Sequence, residues 1–202
     1  MLLERARAEN RLILICGYDK SGKTEAACFL ERHGFYIFEC GAYIRSKYGF
    51  ERGVKLSNFY SENLDNLDIE IAKSIFDISN NRVVGRAGIA VVGVRSHGLF
   101  RLLKSLENLN KFSVFIESNF DLRYSRYCIA RESRFLMSRD EFSKNDHLQR
   151  MWGIEKVREN CDIVIDNNSE AEIFLLVLKE RLGLNEKFQD DGHKRPEFWG
   201  GA

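Results

Sequence analysis

The stretch Gly17-Tyr18-Asp19-Lys20-Ser21-Gly22-Lys23-Thr24 has the residue types and spacing needed to hold a polyphosphate. It matches G-x-x-x-x-G-K-[ST]. Glycines at its ends let backbone N–H groups curl around an anion, and a helix that follows aims its positive N-terminal end at the same point. In such a loop Gly17, Lys20, Ser21 and Gly22 line the cradle. The Lys23 ammonium reaches the β- and γ-phosphates, and the Thr24 hydroxyl ligates Mg²⁺. The chemistry implied is binding of ATP with Mg²⁺. A chance glycine turn is a poor alternative, because the flanking residues are right for the motif. The apolar run from Leu12 to Cys16 reads as a buried strand, and residues 25–33 have helical composition, with Ala26, Ala27, Phe29 and Leu30 on one face.

The remaining elements alternate. Gly34 suits the left-handed position that ends the first helix. FYIFEC, from Phe35 to Cys40, reads as a second strand, followed by a short helix from Gly41 to Tyr48. Between 49 and 81 the apolar residues Leu64, Leu67, Ile71, Ile75 and Ile78 recur at helical spacing. Val83-Val84 reads as a connector. GIAVVGV, from Gly88 to Val94, is apolar throughout, as expected of a central parallel strand covered on both faces. A helix over 99–109, a strand over 112–117 and a helix over 121–131 follow. Residues 132–145 are polar and weakly patterned, 146–160 read as one helix, and CDIVI at 161–165 as a fifth strand. Asn167, Asn168 and Ser169 offer caps for a last helix, 170–182. Strands alternating with helices predict a three-layer α/β/α P-loop NTPase fold with a five-stranded parallel sheet. One domain is expected over 1–184, with a tail over 185–202 that holds the only proline, Pro196, and the aromatic pair Phe198 and Trp199.

Two insertions point to a small-molecule kinase. Residues 49–81 fall where such an enzyme holds its phosphoryl acceptor, and 131–145 where it carries a lid. Arg123, Arg126, Arg131 and Arg134 gather around the fourth helix and the start of the second insertion. Phosphoryl transfer needs such cations to offset charge spreading over the γ-phosphate oxygens, although surface arginines are common on any protein. Tyr18, Tyr43, Phe59, Tyr60 and Trp152 could stack on a base, but an aromatic in this fold more often fills the core.

From about residue 11 to 182 the chain resembles the adenylate-kinase-type P-loop kinases, and in particular dephospho-coenzyme A kinase and related archaeal kinase-like proteins. GYDKSGKT, ECGAYIRSKYG, VVGVRS, RYSRYCIARESR, the Trp152-Gly153-Ile154 helix and CDIVIDNNS carry the likeness. It implies an acceptor-phosphate clamp at Arg45, a further nucleotide-edge arginine at Arg95, and lid arginines at Arg126, Arg131 and Arg134. Two departures stand out. Ala42 replaces the aspartate usual after the glycine of the second motif, and the third strand ends without an acid. Asp19 and Glu39 are the acids left near the loop. The loop of thymidylate kinases reads similarly and its aspartate helps hold the acceptor, so Asp19 or Glu39 is expected to orient an acceptor hydroxyl.

Composition sets the outer bounds. The 202 residues are 44% hydrophobic and 30% charged with net charge +1, so nothing calls for nucleic acid or a membrane as partner. Residues 1–11 lack an apolar core and read as no signal peptide. No run of about 18 apolar residues occurs. Five scattered cysteines without C-x-x-C fit reduced thiols in a cytoplasmic protein. The expected partner is a small-molecule phosphoryl acceptor, on a monomer or homodimer. The alternative is a nucleotide-binding sensor or partner-binding protein with a degenerate catalytic site. A switch GTPase lacks support, because no N-K-x-D motif is present.

Overall fold

The computed structural model describes residues 11–51, 56–81, 86–130 and 137–184. The N-terminal residues, the Val83-Val84 connector, Arg131, Arg134 and the tail lie outside them. Strands β1 (Arg11–Cys16), β2 (Phe35–Glu39), β3 (Gly88–Val94), β4 (Asn110–Glu117) and β5 (Ile163–Asp166) form one all-parallel sheet in the order β2-β3-β1-β4-β5. β1 lies at the centre, with Leu14 paired to Val91 on one side and to Ser113 on the other. Every β1 residue is buried, which is why Leu12 to Cys16 form a continuous apolar run rather than an alternating one.

The pleat sends alternate residues to opposite cores. Ile13, Ile15, Ala90, Val92, Val114 and Ile116 pack under α1 (Lys23–Arg32) and the last helix, Ala171–Leu182, through Ala26, Leu30, Phe174 and Leu178. Leu12, Leu14, Ile89, Val91 and Phe115 pack against the other layer. That layer holds α2 (Cys40–Tyr48), α3 (Ser57–Glu62), α4 (Leu64–Asn81) and α5 (His97–Ser105). Then come α6 (Phe120–Ala130), α7 (Arg139–Met151), α8 (Ile154–Asn160) and, closing the chain on the first face, α9 (Ala171–Leu182).

The fold class is the one expected; several element limits are not. Residues 139–145, taken as unpatterned, are the opening of α7. Its start is a reciprocal capping box, with the Ser138 hydroxyl accepting from the Glu141 N–H and the Glu141 carboxylate accepting from the Ser138 N–H. The expected single helix 146–160 is broken after Met151, because Gly153 takes a left-handed conformation (φ 88°) that ends α7 and starts α8. Cys40 belongs to α2 rather than β2, α5 stops at Ser105, and within the 49–81 region 57–81 form two helices, α3 and α4, rather than one. No Asn167, Asn168 or Ser169 side chain caps α9, whose N-cap is Glu170. Asn167 has a different task, described below. Of the expected lid, 131–136 lies outside the described residues.

One buried ion pair joins α6 to α7. Arg123 donates to both carboxylate oxygens of Asp146 at 3.0 and 2.5 Å, with the two side chains only 4% and 3% exposed. Its Nε also donates to the Ser118 carbonyl, and its plane lies near the rings of Tyr18, Phe120 and Phe142. Removing one partner strands a buried charge. Asp146→Ala should therefore lose ~3–5 kcal/mol of unfolding free energy in a urea titration. A loss below ~1 kcal/mol would mean the pair behaves as a solvated one.

Candidate active site

The loop Gly17–Thr24 crosses the carboxyl end of β1 and enters α1 without a side-chain cap at Gly22. The first-turn N–H groups of α1 thus face outward at the sheet edge, where an anion can take them. Glycine is required at both ends of the cradle. A Cβ on Gly17 would meet the Ile116 carbonyl at 2.4 Å, and one on Gly22 would meet Asn167 Nδ2 at 2.1 Å, both positions also having positive φ. Lys20 holds a left-handed conformation (φ 62°) at the exposed crest, and Ser21 Oγ is buried without a hydrogen-bond partner among the described residues. Thr24 is exposed at the mouth, so its hydroxyl is open to a ligand.

Lys23 folds back over the loop, donating to the carbonyls of Gly17 (2.8 Å) and Tyr18. Burial, with the nearby Arg95 charge, pushes its ammonium from 10.5 down to about 7, against the opposing pull of Asp19. A group so placed is short of negative charge, which is what a phosphate would supply.

Asp19 is gripped from two sides. Its Oδ1 receives Arg95 at 2.6 Å and its Oδ2 receives Asn145 Nδ2 at 2.6 Å. Burial alone would raise its pKa, but Arg95, Lys23, Asn145 and Arg123 together hold that pKa below the usual carboxylate value. It is therefore a firmly ionised group and a weak proton acceptor. Arg95 follows directly on β3, and its Nε is buried without a partner among the described residues.

On the neighbouring strand, Glu39 ends β2 and Arg45 lies on α2. A Cβ on Gly41 would sit 3.2 Å from Arg45 Nη1 and 3.8 Å from Glu39 Oε1, so the two flank one glycine. Arg45 Nε is also buried and unpartnered among the described residues. Arg126 reaches the far side of the loop, donating to the carbonyls of Lys20 (3.5 Å) and Asn167 (3.0 Å) and to Ser118 Oγ (3.3 Å). Arg123 faces inward on Asp146 and the Asp19 carbonyl rather than outward with Arg126. Arg131 and Arg134 fall outside the described residues.

Four contributors were missed in the sequence. Asn145 and Asp146 lie on α7, where the S-x-x-E pattern from Ser138 to Glu141 was the available signal. Asn167, taken as a cap, donates to the Ser21 carbonyl at 2.8 Å and props the loop from the end of β5. Asp68 on α4 is buried and accepts from Tyr60 Oη, Ser96 Oγ and the Leu99 N–H at 2.7, 2.6 and 3.0 Å. Burial raises its pKa in spite of those donors. Its signal was a carboxylate on the apolar face of a helix, beside Leu67 and Ile71. The candidate stacking aromatics are mostly occupied: Tyr60 and Trp152 pack edge to face at 4.9 Å, Tyr43 lies on Phe38, and Tyr18 is bonded to Glu155. A groove along α4 and α5, lined by Asp65, Asp68, His97, Arg101 and Lys104, shares no residue with the loop.

The lowered Lys23 has a measurable consequence. An oxyanion seated on the loop raises its affinity for a proton, so binding must take one up above neutrality. Calorimetry with tripolyphosphate at pH 8, in buffers of different ionisation enthalpy, should show uptake approaching one proton, vanishing in Lys23→Met. The same shift works on stability. The unfolded chain binds the Lys23 proton up to about 10.5 and the folded chain only up to about 7, so its contribution grows as pH rises between these values. Equal proton uptake in wild type and Lys23→Met would exclude Lys23 as the responding group.

No family model matches the chain. Among curated proteins, a UPF0200 protein of Saccharolobus islandicus is 27% identical over 177 residues, spanning 81% of this chain and 88% of that relative. A UPF0200 protein of Methanosarcina barkeri is 26% identical over 167 residues, spanning 81% and 90%. Among solved structures, a shikimate kinase from Bacteroides thetaiotaomicron superposes with a TM-score of 0.61 at 14% identity, covering 86% of this chain and 99% of that one. A sugar kinase from Janibacter gives 0.61 at 16%, covering 87% and 95%. A shikimate kinase from Acinetobacter baumannii in complex with shikimate gives 0.58 at 14%, covering 89% and 96%. At these identities the likeness is one of fold: a kinase-like P-loop α/β architecture.

Proposed function

We propose that the protein is an ATP-dependent phosphotransferase acting on a nucleotide or nucleotide-like small molecule, either a nucleoside monophosphate or a dephospho-coenzyme A-like acceptor. The observation that carries this reading is the meeting of the phosphate loop with Arg95 through Asp19. It puts a fixed carboxylate and a partly unsatisfied guanidinium across the sheet edge from Lys23. In this reading Gly17, Lys20, Ser21, Gly22 and Lys23 hold the ATP phosphates. The exposed Thr24 hydroxyl fits Mg²⁺, which keeps several waters and accepts one protein oxygen. Bound there, the ion would offset charge on the β- and γ-phosphates.

Arg45 and Arg95 grip the acceptor's anionic group, and Glu39 orients it. Arg126, with Arg131 and Arg134, supplies charge near the transferring group. Asp19 orients the acceptor hydroxyl as an anion. Its lowered pKa suits that role better than full proton abstraction, and a loose transition state asks for little base catalysis. Most of the protein's work is then positioning and exclusion of water. A second reading, nucleotide binding without efficient transfer, is favoured by one feature: Ala42 and the apolar end of β3 offer no carboxylate where related kinases carry one.

ADP release with ATP and a panel of nucleoside monophosphates and dephospho-coenzyme A separates the two. Transfer to at least one acceptor is expected. Lys23→Ala should weaken ATP binding by roughly 1.5–3 kcal/mol without lowering the melting temperature. Asp19→Asn should reduce kcat while ATP affinity holds, and Arg45→Lys should raise the acceptor KM more than that for ATP. ATP binding with no transfer to any acceptor would leave the second reading standing. ATP affinity unchanged in Lys23→Ala would overturn both.

A further inference from the structure

Helices α4 and α5 lie side by side in one layer and leave a groove of about 820 Å³ along them. Its α5 wall carries His97, Arg101 and Lys104, whose spacings of four and three put them on one helix face. Its α4 wall carries Ile69, which is 46% exposed, with Asp65 one turn before it. Lys104 is already paired with Asp162, whereas Arg101 is exposed and makes no ion pair among the described residues. The groove thus offers an apolar strip and an uncompensated positive charge side by side.

The end of the groove formed by Lys104, Ser105 and Asn160 lies at the edge of the sheet where the strands begin. Just past α5, the Leu106 carbonyl accepts from Lys111, the second residue of β4. The last described residues come to the same edge. Asn110 pairs with Arg11, and Arg11 Nη2 donates to the Leu182 carbonyl at 3.2 Å. The chain therefore leaves α9 at Leu184 beside the start of the sheet, in the other helix layer, and residues 185–202 follow. Asp190, six residues beyond Leu184, has an extended reach of ~20 Å, about two helix diameters, which spans the step from one layer to the other.

The sequence of this segment suits the groove in kind and in order. Asp190 and Asp191 come first, the bases His193, Lys194 and Arg195 follow, and Phe198 and Trp199 come last. Acids that enter beside Lys104 meet Arg101 on the α5 face. Bases further along meet Asp65 at the opposite end, where Asp68 holds the start of α5 through Ser96 and the Leu99 N–H. Residues 1–10 also reach this edge of the sheet, but they contain neither adjacent acids nor an aromatic.

We propose that the groove between α4 and α5 is the docking site of the chain's own C-terminal segment, residues 185–202. Asp190 and Asp191 lie on the basic face of α5, and Phe198 and Trp199 cover the apolar strip that includes Ile69. Docking there does not depend on the reaction the protein performs. It does bring the segment against Asp68, which is bonded to Ser96, the neighbour of Arg95.

Trp199 supplies the test, because the other tryptophan, Trp152, is 6% exposed and packed on Tyr60. Acrylamide quenching is measured on the full-length protein, with the signal of the Trp199→Phe protein subtracted to remove Trp152. The Stern–Volmer constant of Trp199 should be roughly a third of that of the free peptide 185–202, since a ring seated on an apolar surface offers one face to the quencher. Ile69→Asp and Arg101→Glu change exposed positions, so the melting temperature should hold while the constant rises toward that of the peptide. Asp190→Lys with Asp191→Lys should raise it too. Joined to Arg101→Glu, that pair should restore the shielding, which no loss of stability could do. A wild-type Trp199 quenched as freely as the peptide overturns the proposal. Shielding that survives both groove substitutions, or a combined variant no better shielded than its parents, places the segment elsewhere and overturns it as well. Shielding that fades on dilution assigns the groove to the segment of a second copy, and so also overturns docking within one chain.

Discussion

A guanidinium removed from water must have its N–H groups satisfied and its charge balanced, and Arg123 meets both demands with groups from different parts of the chain. Asp146 comes from α7, the Ser118 carbonyl from the end of β4, and the Asp19 carbonyl from the phosphate loop. Three aromatic rings, Tyr18, Phe120 and Phe142, fill the space around it. Because the pair is buried, no partner can drift without stranding a charge in a poorly polarisable interior. The loop, the strand end and the two helices are therefore held in a single arrangement. Asn145, one residue before Asp146, is delivered to Asp19 by the same constraint.

The electrostatics of the site follow from this arrangement. Asp146 is committed to Arg123, which leaves Asp19 as the carboxylate facing Lys23 and Arg95. The cleft is consequently deficient in negative charge, and Lys23 responds by releasing its proton more readily than a free lysine. A small charged ligand resolves the imbalance, whereas apolar repacking could not. The tension between a quiet resting protein and a site waiting for anions is expressed in a handful of atoms: Lys23 Nζ, Arg95 Nε, Arg45 Nε and Ser21 Oγ.

The sheet and the phosphate loop were legible from the residues alone, because burial on both faces writes itself as apolar runs and because only glycine fits at 17 and 22. The strands read at Leu12 to Cys16, one residue short of the observed start at Arg11, and at Gly88 to Val94 needed little beyond that. What the residues did not disclose was partnership. Arg123 and Arg126 look alike on a helical wheel, yet one is buried on Asp146 and the other reaches Lys20 and Asn167. Asn167 has the composition of a cap and acts as a prop. The opening of α7, 139–145, hid because its residues are almost all polar, Asn145 on the inner face included, and so break the apolar period used to find helices. These are contacts between segments far apart in sequence, and periodicity carries no record of them.

The order of the sheet bears on how the protein comes into being. Of the five strands β1 is made first, but it pairs with β3 and β4, the segments 88–94 and 110–117, so its two edges stay open until those segments have been made. The loop that follows it leans on the Ile116 carbonyl and on Asn167, still later in the sequence. Closing contacts of such long separation costs chain entropy before it gives anything back. The phosphate cradle thus becomes rigid only once segments that follow it in the chain are in place. A nascent chain that ended before β5 would carry the whole motif without its geometry, and nucleotide binding during synthesis would signal that the sheet is complete.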